Sequence, residues 1–385
     1  MLGLLLVFTL LVLLLHDLWL LCCRQRVKHT AVSKRIRWGL LVVDLLPILL
    51  VLSYQFDNTP SIMRLSMWII WLWITILFSR LCHGLFTWLK VRRLAGVMTV
   101  LVALTFIYGA AIGRKALRVE EVTVCSDRVS TAFDGYRIAF FSDLHLGALV
   151  NTRQEVGQVV EAINRLNPDI VLFGGDLVNI RYTELDSTAS ALLQQIQAPV
   201  YSVIGNHDVG TYIADSTALP FAISHQCLIE RQEMMGWTVL QDTTLYLHRG
   251  ADSISLSGFS YNATFKNLLH ARGLPMSGRE KGYRNVPTDC YNITLIHVPQ
   301  HWEEIKQLGY GDLTLSGHTH AMQSKLLLNT GHGISPARLI YREWSGRYED
   351  NRHTLYINDG IGYVVYPMRI GARPEVTLIT LKQCE

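Results

Sequence analysis

No Cys-x-x-Cys pair occurs among the seven cysteines of this 385-residue chain, which argues against a thiolate zinc site. The sequence has no RNA- or DNA-binding motif and no stripe of basic and aromatic residues. Its net charge of +4 therefore does not indicate a nucleic-acid partner. Internal repeats and low-complexity linkers are missing too. What is present is a chain whose length predicts about two or three domains and whose two parts differ in composition.

Residues 1–115 are dominated by Leu, Val, Ile and Trp. About 20 apolar residues are needed to cross the ~30 Å hydrocarbon core of a bilayer, and four stretches approach or exceed that length. They lie at 1–23, 38–54, 65–89 and 95–113. We predict four transmembrane helices here, although the second stretch is short and is interrupted by Asp44 and Pro47. The loss of hydrophobicity that follows predicts a second domain at residues 116–385.

A cleaved signal peptide is the alternative for the first apolar stretch. That stretch lacks a positively charged N-terminal region, and no small-residue cleavage site follows it. Both observations favour a membrane helix that is retained in the protein.

Lys and Arg are unevenly distributed over the connections between these stretches. The first connection contains six of them and the third contains three, whereas QFDNTPSIM in the second contains none and only Arg64 follows it before the third stretch. By the positive-inside rule the first and third connections are cytoplasmic, and everything after the fourth helix lies outside the cytoplasm. Arg114, Lys115 and Arg118, just beyond that helix, point weakly the other way.

Five short apolar runs in the second part are typical of buried strands, and each ends in side chains that bind metals. The clusters are Asp143 and His145 in FFSDLH, Asp176 in LFGGD, Asn206 to Asp208 in VIGNHD, His297 in LIHVP, and His318 and His320 in LSGHTH. Helical segments such as 151–168 separate the strands, so the sheet is predicted to be largely buried. Such sheets place ligands at the carboxyl ends of their strands, and we expect all five clusters to converge on one edge.

The mixture of carboxylates, imidazoles and one amide suits a centre with two divalent ions. Two ions about 3.5–4 Å apart need one carboxylate that can bridge them, together with neutral ligands that leave coordination positions open. Asp176 is the expected bridge. A hydroxide between the ions would attack phosphorus in line, while the ions neutralise the phosphoryl oxygens.

The motifs DLH, GD, GNHD, an isolated His and GHTH, in this order, resemble those of the calcineurin-like metallophosphoesterase superfamily. The resemblance covers about residues 120–385. The closing stretch NDGIGYVVYPMRIGARPEVTLITL, together with IHVPQHW and the preceding membrane helices, is similar to the membrane-anchored bacterial branch. The resemblance implies a four-helix transmembrane region followed by an α/β (α+β) domain, a β-sandwich flanked by helices. It also implies a multi-pass protein of the bacterial inner membrane, and the charge pattern puts the catalytic domain outside the cytoplasm.

The same resemblance assigns roles to single residues. One ion would be held by Asp143, His145, Asp176 and His320, and the other by Asp176, Asn206, His297 and His318. His207 is the implied general acid that protonates the leaving oxygen, and Asp208 would orient its imidazole or raise its pKa. The alternative for Asp208 is that it only makes hydrogen bonds within its loop. Mn²⁺ is the favoured metal, and Fe and Zn²⁺ accept the same ligands.

Three positions depart from the family pattern. Asn179 replaces the second Asp of GDxxD, Val298 follows the isolated His where Asp is common, and Ala321-Met322 replaces the glycines of a GHTHGG-like turn. The added bulk at the last position is expected to affect the access of substrate more than the binding of metal.

The predicted function is that of an integral-membrane phosphoesterase with two metal ions. It would contact the lipid bilayer and hydrolyse a phosphate ester, a phosphodiester or a pyrophosphate in a phosphorylated small molecule or lipid. One alternative is a lipid-linked nucleotide pyrophosphatase, which the outward topology opposes because that substrate is cytoplasmic. The other is a non-catalytic, metal-stabilised membrane sensor, which the intact set of ligands and His207 opposes. The oligomeric state stays open.

Four cysteines lie in the second part, at positions 125, 227, 290 and 384, and an even number fits an oxidising compartment. Cys125 belongs to an early strand and Cys384 to the end of the chain. The terminal strands of such a sheet can lie close together, so this pair is a candidate disulfide, provided that the two Cα atoms approach within about 7 Å.

Overall fold

A computed structural model describes residues 59–213, 221–261, 280–326 and 332–384. Two helices, α1 (Pro60–Trp88) and α2 (Arg92–Ala111), correspond to the third and fourth predicted membrane spans. Both are long and apolar enough to cross a membrane. The spans predicted at 1–23 and 38–54, including Asp44, lie outside the described residues. Two candidate spans are thus found in the described part of the chain, and the count of four stays a prediction.

The chain divides into two compact units, and the larger one comprises residues 105–213 and 217–385. Its described residues contain two six-stranded mixed sheets. The first sheet has the order β1-β12-β2-β3-β4-β5, with β1 Arg118–Ser126, β2 Arg137–Phe141, β3 Ile170–Phe173, β4 Val200–Ser202, β5 Thr238–Val239 and β12 Glu375–Gln383. The second has the order β10-β11-β9-β8-β7-β6, with β6 Thr243–Arg249, β7 Asp252–Phe259, β8 Asn292–Ile296, β9 Leu313–Ser316, β10 Gly346–Asp350 and β11 His353–Ile357.

Both sheets contribute to one hydrophobic core. Phe140 and Leu172 of the first sheet belong to the same buried cluster as Leu256 and Leu295 of the second. Strands β2, β3 and β8 are mostly apolar and almost completely buried, as expected where both faces of a sheet are covered. The predicted α/β domain with buried strands is confirmed, and its core lies between the two sheets.

Helices flank the sheets. The first, α3 (Thr152–Leu166), begins where the side chain of Asn151 accepts a hydrogen bond from the backbone N–H of Gln154, and it ends at Asn167 in the left-handed conformation before Pro168. This confirms the helix predicted over 151–168. The other described helices are α4 (Ser187–Leu193), α5 (Phe221–Met234) and α6 (Trp302–Gln307).

Strand direction determines where the site forms. Strands β2, β3 and β4 run parallel to one another in the first sheet, and β7, β8, β9 and β11 do so in the second. Their carboxyl ends carry the predicted clusters, from Asp143 after β2 to His318 after β9. The expected convergence on one edge is confirmed by the contacts described below.

The predicted disulfide is also confirmed. Strands β1 and β12 pair in parallel, with Cys125 opposite Lys382 and Ser126 opposite Gln383. Cys125 and Cys384 are bonded, with their Cα atoms 5.6 Å apart. The two cysteines meet because the first and last strands of the domain are neighbours.

Candidate metal centre

The predicted ligands lie on sharply turned backbone. Asp143, His145, Asp176, His318 and His320 all have φ between 46° and 74°, in the left-handed region that residues other than Gly rarely adopt. Conformations of this kind cost of order 1–3 kcal/mol each and persist only where the surroundings enforce them. Their repetition at the ends of β2, β3 and β9 indicates that the fold is built to present these side chains.

The first cluster consists of Asp143, His145 and His320, all fully or nearly fully buried. The Nε2 atoms of the two imidazoles lie 3.0 Å apart, and Nε2 of His320 lies 3.2 Å from a carboxylate oxygen of Asp143. Backbone N–H groups hold that carboxylate in place, since the N–H of His318 donates to both of its oxygens at 3.0 and 3.1 Å.

The second cluster consists of Asp176, His297 and His318, with Asn206 beside them. Nε2 of His297 lies 3.0 Å from Oδ2 of Asp176. The side-chain oxygen of Asn206 lies 3.1 Å from Nε2 of His297 and 2.8 Å from Nδ1 of His318. All four residues that the sequence assigned to the second ion are therefore gathered at one point.

Asp176 lies between the two clusters. The same oxygen that approaches His297 lies 3.7 Å from Nε2 of His145 in the first cluster. The other oxygen, Oδ1, accepts the backbone N–H of His207 at 2.8 Å, which fixes the carboxylate plane. This is the position that a bridging carboxylate requires.

The donor set fits two divalent cations. Ring nitrogens of His145 and His320 that face each other at 3.0 Å need a proton or a cation between them, and two carboxylates face the same space. A mixture of imidazole nitrogen with carboxylate and amide oxygen suits divalent ions of the first transition series. The seven residues predicted as ligands could accordingly hold the pair of ions that this chemistry uses.

Burial and neighbouring charge act differently on the three histidines. Burial lowers the pKa of His145 well below its ordinary value, and burial together with the charge of His297 lowers the pKa of His318 to about 3. Burial would also lower the pKa of His297, but the carboxylate of Asp176 outweighs it and raises this pKa to about 9. Without metal, His297 is thus the histidine of these three that carries a proton at neutral pH.

His207 is placed at the rim of this centre by the loop after β4. Its Nδ1 lies 2.6 Å from the backbone carbonyl oxygen of Asn179, so Nδ1 carries a hydrogen that it donates to this acceptor. Its ring stacks on Tyr212 at 4.5 Å between centroids and meets the ring of His145 edge-on at 4.7 Å. The orientation leaves Nε2 as the nitrogen that can give or take a proton.

The carboxylate of Asp208 accepts hydrogen bonds from backbone N–H groups rather than from the imidazole of His207. Its Oδ2 accepts the backbone N–H groups of Asp176 and Gly205, both at 2.8 Å, and its Oδ1 accepts the N–H of Val178 at 3.0 Å. The expectation that Asp208 orients the imidazole is therefore corrected in favour of hydrogen bonds within the loops. Backbone donors outcompete the imidazole because Asp208 is buried between the loops after β3 and β4. The carbonyl of Asn179 orients His207 instead.

Two supporting residues were not identified from the sequence. Arg369 is fully buried beside His320, where it donates to the backbone carbonyls of Asp359, Gly362 and Ala372. Glu184 accepts backbone N–H groups from two loops of the site, at 3.0 Å from Gly147 and 3.1 Å from Ile180. Neither follows an apolar strand, so the signal that marks the ligands is missing for both.

The departure at Ala321 and Met322 has a conformational consequence. Both residues adopt the left-handed conformation, with φ of 48° and 46°, as glycines of such a turn would. Ala321 is completely buried in a cluster with Ala337, Trp344 and Ala372, whereas Met322 is only partly buried and packs against that cluster. The side chains of both residues are thus accommodated by packing in or against this cluster.

Paired ligand sets around one shared carboxylate, at the carboxyl ends of parallel strands, define a hydrolase of the two-metal class. Residues 136–322 match the calcineurin-like phosphoesterase family. A Bacillus subtilis (strain 168) protein, the uncharacterized metallophosphoesterase YkuE, is 30% identical over 275 residues, which cover 68% of this chain and 84% of that protein. The chain belongs to the calcineurin-like phosphoesterase family, a family of metal-dependent phosphoric ester hydrolases.

A Danio rerio relative, a transmembrane protein with metallophosphoesterase domain, is 31% identical over 291 residues. The match covers 74% of this chain and 62% of the relative, so the chain spans less than two thirds of that protein. The solved structure of phosphopantetheinyl hydrolase from Mycobacterium tuberculosis covers 61% of this chain and 91% of its own length. At 12% identity and a TM-score of 0.38, that similarity is too distant to inform function.

Proposed function

We propose that the protein is an integral-membrane phosphoesterase whose two metal ions act outside the cytoplasm on a phosphate ester, a phosphodiester or a pyrophosphate. The observation that carries this proposal is the position of Asp176, one oxygen of which lies 3.0 Å from His297 and 3.7 Å from His145. A domain that binds a single structural ion would not need a carboxylate shared between two ligand sets.

The bound ions would supply an activated water and neutralise charge on the phosphoryl oxygens. The chain's own residues would provide the proton for the leaving group. With Nδ1 of His207 donating to the carbonyl of Asn179, a protonated imidazole presents the hydrogen on Nε2 to the leaving oxygen. Mn²⁺ is the metal that we propose, with Fe and Zn²⁺ as alternatives.

Several contacts support the outward orientation. The guanidinium of Arg114 is buried and pairs with Glu155 at 3.0 Å, and Arg118 pairs with Asp359 at 3.3 Å and with Glu375. Because acidic residues of the same domain neutralise Arg114 and Arg118, these two residues are weaker evidence for a cytoplasmic location of the domain. A disulfide between Cys125 and Cys384 also suits an oxidising compartment such as the space outside the bacterial inner membrane.

A reporter fused after Glu385 tests the orientation. A reporter enzyme that is active only outside the cytoplasm is expected to be active when it is fused after Glu385. A cytoplasmic signal would overturn the topology, and with it the argument against a nucleotide-lipid substrate.

Activity of the purified full-length protein with added Mn²⁺ tests the function. Phosphomonoesters, phosphodiesters, lipid pyrophosphates and a nucleotide diphosphate-linked lipid are compared, with Asp176→Asn as the inactive control. Turnover of the nucleotide-linked lipid alone would favour the pyrophosphatase. If the protein binds metal but hydrolyses none of these substrates, the sensor function is favoured and the proposed activity is wrong.

A further inference from the structure

An exposed apolar surface lies on the segments that follow the GHTH motif. We call it the apolar rim, and it consists of Leu326, Ile334, Leu339 and Ile340. Leu326 and Ile334 pair through two backbone hydrogen bonds, and Leu339 ends the 3₁₀ turn that follows, with 86% of its surface exposed. Single exposed apolar residues are ordinary, but four of them on two paired segments and the turn that follows form a candidate contact surface.

The apolar rim adjoins the metal centre. The hydroxyl of Ser335 donates to the carbonyl of Ala321 at 2.7 Å, one residue from His320. The ring of Tyr341 meets the ring of His318 edge-on at 5.9 Å between centroids. The segments that carry the rim therefore contact the residue after His320 and the ring of His318.

Backbone hydrogen bonds connect the rim to the last turns of α2. The N–H of Lys325 donates to the carbonyl of Ile370 at 2.8 Å, and the N–H of Arg369 donates to the carbonyl of Gly109 at 3.1 Å. A side chain at position 109 would meet Ile370 at 2.8 Å, and one at 113 would meet the carbonyl of Arg369 at 2.1 Å. Glycine at both positions lets the helix end pack directly on this segment.

Sheet topology places the same helix end at the edge of the site. Strand β1, which follows α2, is parallel to β12, and β12 is antiparallel to β2. The start of β1 therefore lies at the edge where β2 ends, and that edge carries Asp143. Ile107 and Tyr108 on the last turns of α2, and Ile112 just after it, are exposed apolar residues of this same compact unit.

We propose that the apolar rim and the end of α2 lie together at the bilayer surface, and that the substrate is a membrane lipid with a phosphate ester or pyrophosphate in its headgroup. The headgroup phosphate enters the metal centre while the hydrocarbon chains stay in the membrane. Continuity between the rim and a helix apolar enough to cross a membrane favours a bilayer over a protein partner. This inference rests on the proposed phosphoesterase activity.

Paired substrates test the substrate class. Full-length protein in phosphatidylcholine vesicles is given long-chain lipids with a phosphomonoester, phosphodiester or pyrophosphate headgroup, and each is compared with a soluble short-chain ester of the same headgroup. We expect kcat/KM for one long-chain lipid to exceed that for its soluble counterpart at least tenfold. Turnover of soluble esters alone would overturn the lipid assignment and leave the phosphoesterase standing. If none of these substrates is hydrolysed, the proposed phosphoesterase function is itself wrong.

Substitutions in the rim test its part in substrate access. The double variant Leu339→Ser and Ile340→Ser is expected to lose about tenfold or more on the vesicle lipid and less than twofold on the soluble ester. Met234→Ser is the matched control, because Met234 is 81% exposed on α5 and does not belong to the rim. Equal losses on both substrates, or none, would contradict the inference.

Contact with the bilayer can be measured without activity. Tryptophan introduced as Leu339→Trp is expected to add fluorescence that brominated lipid chains quench, relative to the wild-type protein. Met234→Trp should add fluorescence that they do not quench. Absence of quenching at position 339 would indicate that the rim faces water or a protein, and the bilayer assignment would fall.

Discussion

Nη2 of Arg369 lies 3.1 Å from Nδ1 of His320, the ring nitrogen that points away from the metal centre. Arginine only donates hydrogen bonds, so Nδ1 of His320 is the acceptor and the ring is held with Nε2 toward Asp143. While Nδ1 accepts this bond, the neutral ring carries its hydrogen on Nε2, so an ion bound there would have to displace that proton. Arg369 also donates its backbone N–H to Gly109 and thereby links the end of α2 to the first cluster.

Replacing Arg369 should weaken metal binding before it affects chemistry. Arg369→Lys keeps the positive charge but lacks the planar guanidinium, whose nitrogens contact His320 and three backbone carbonyls together. We expect metal affinity at the first cluster to fall by about 10- to 100-fold, measured by calorimetric titration of the metal-free protein. Arg369→Met should also lower the free energy of unfolding by at least about 3 kcal/mol, because buried carbonyls lose charged donors.

Arg373→Lys is the control for Arg369. Arg373 donates to backbone carbonyls of Ala116 and Leu117 at an exposed position and does not face the predicted ligands. The Arg373→Lys variant should bind metal as the wild-type protein does. Unchanged metal affinity in Arg369→Lys would reduce Arg369 to a packing residue.

Asp176 and His207 should separate metal binding from proton transfer. Asp176→Asn is expected to lose metal and activity together, because Asp176 faces both clusters. His207→Ala should keep its metal and slow the turnover of poor leaving groups by about 10²- to 10⁴-fold. A nitrophenyl ester, whose leaving group needs less protonation, should be slowed less.

Metal content and the two rates decide between the roles of His207. Loss of metal in His207→Ala would make His207 a ligand, in keeping with its closeness to His145 and Asp176. Equal slowing of good and poor leaving groups would make it a structural or phosphate-positioning residue.

Metal loading should release a proton from His297. The carboxylate of Asp176 raises the pKa of His297 to about 9, so at pH 8 the metal-free site carries a proton there that an ion must displace. Because the protonated ring competes with the metal, affinity should rise about tenfold per pH unit from pH 7.5 to 8.5 and level off above pH 9. Calorimetry in buffers with different ionisation enthalpies counts the protons released.

His297→Gln provides the comparison for this titration. Its affinity should be lower and largely independent of pH over the same interval. A wild-type protein that takes up metal without releasing a proton would show that His297 is already neutral, and the charge effect of Asp176 would be wrong.

The disulfide should stabilise the domain through its long loop. Cys125 and Cys384 are separated by 259 residues, and closing loops of this size contributes up to about 5 kcal/mol in chain-entropy models. The double variant Cys125→Ser and Cys384→Ser should unfold at lower denaturant concentration, with a loss of about 2–5 kcal/mol. Cys290→Ser, which removes a free cysteine, should unfold like the wild type. Equal midpoints, or free thiols at 125 and 384 in protein taken from cells, would contradict this.

The parts of the fold that follow local rules could be predicted from the sequence. Strand β3 is a continuous apolar run, β2 is apolar after Arg137, and α3 has an amphipathic pattern with a clear start and stop. The candidate ligands could be picked out because they follow such strands; that they bind metal stays a prediction. Convergence of the clusters followed from the direction of parallel strands alone, without any knowledge of side-chain contacts.

Contacts between distant segments could not be predicted in this way. β5 has two residues, and β10 reads GRYED, which has no apolar run to mark it. The backbone bonds of Asp208 and the position of Arg369 depend on loops that come together only in the folded chain. Burial decides both cases, and burial is a property of the tertiary structure.

Strands β1 and β12 finish together at the edge of the first sheet opposite the metal centre, since β12 is antiparallel to β2. The eight steps of about 3.3 Å between the nine paired residues carry the chain roughly 26 Å from the start of β1, where it follows α2. A purification tag or fluorescent protein attached behind β12 is thus held far from both the helix end and the ligands. The carboxyl side of the protein is the natural attachment point for immobilisation, imaging or a reporter that must leave catalysis undisturbed.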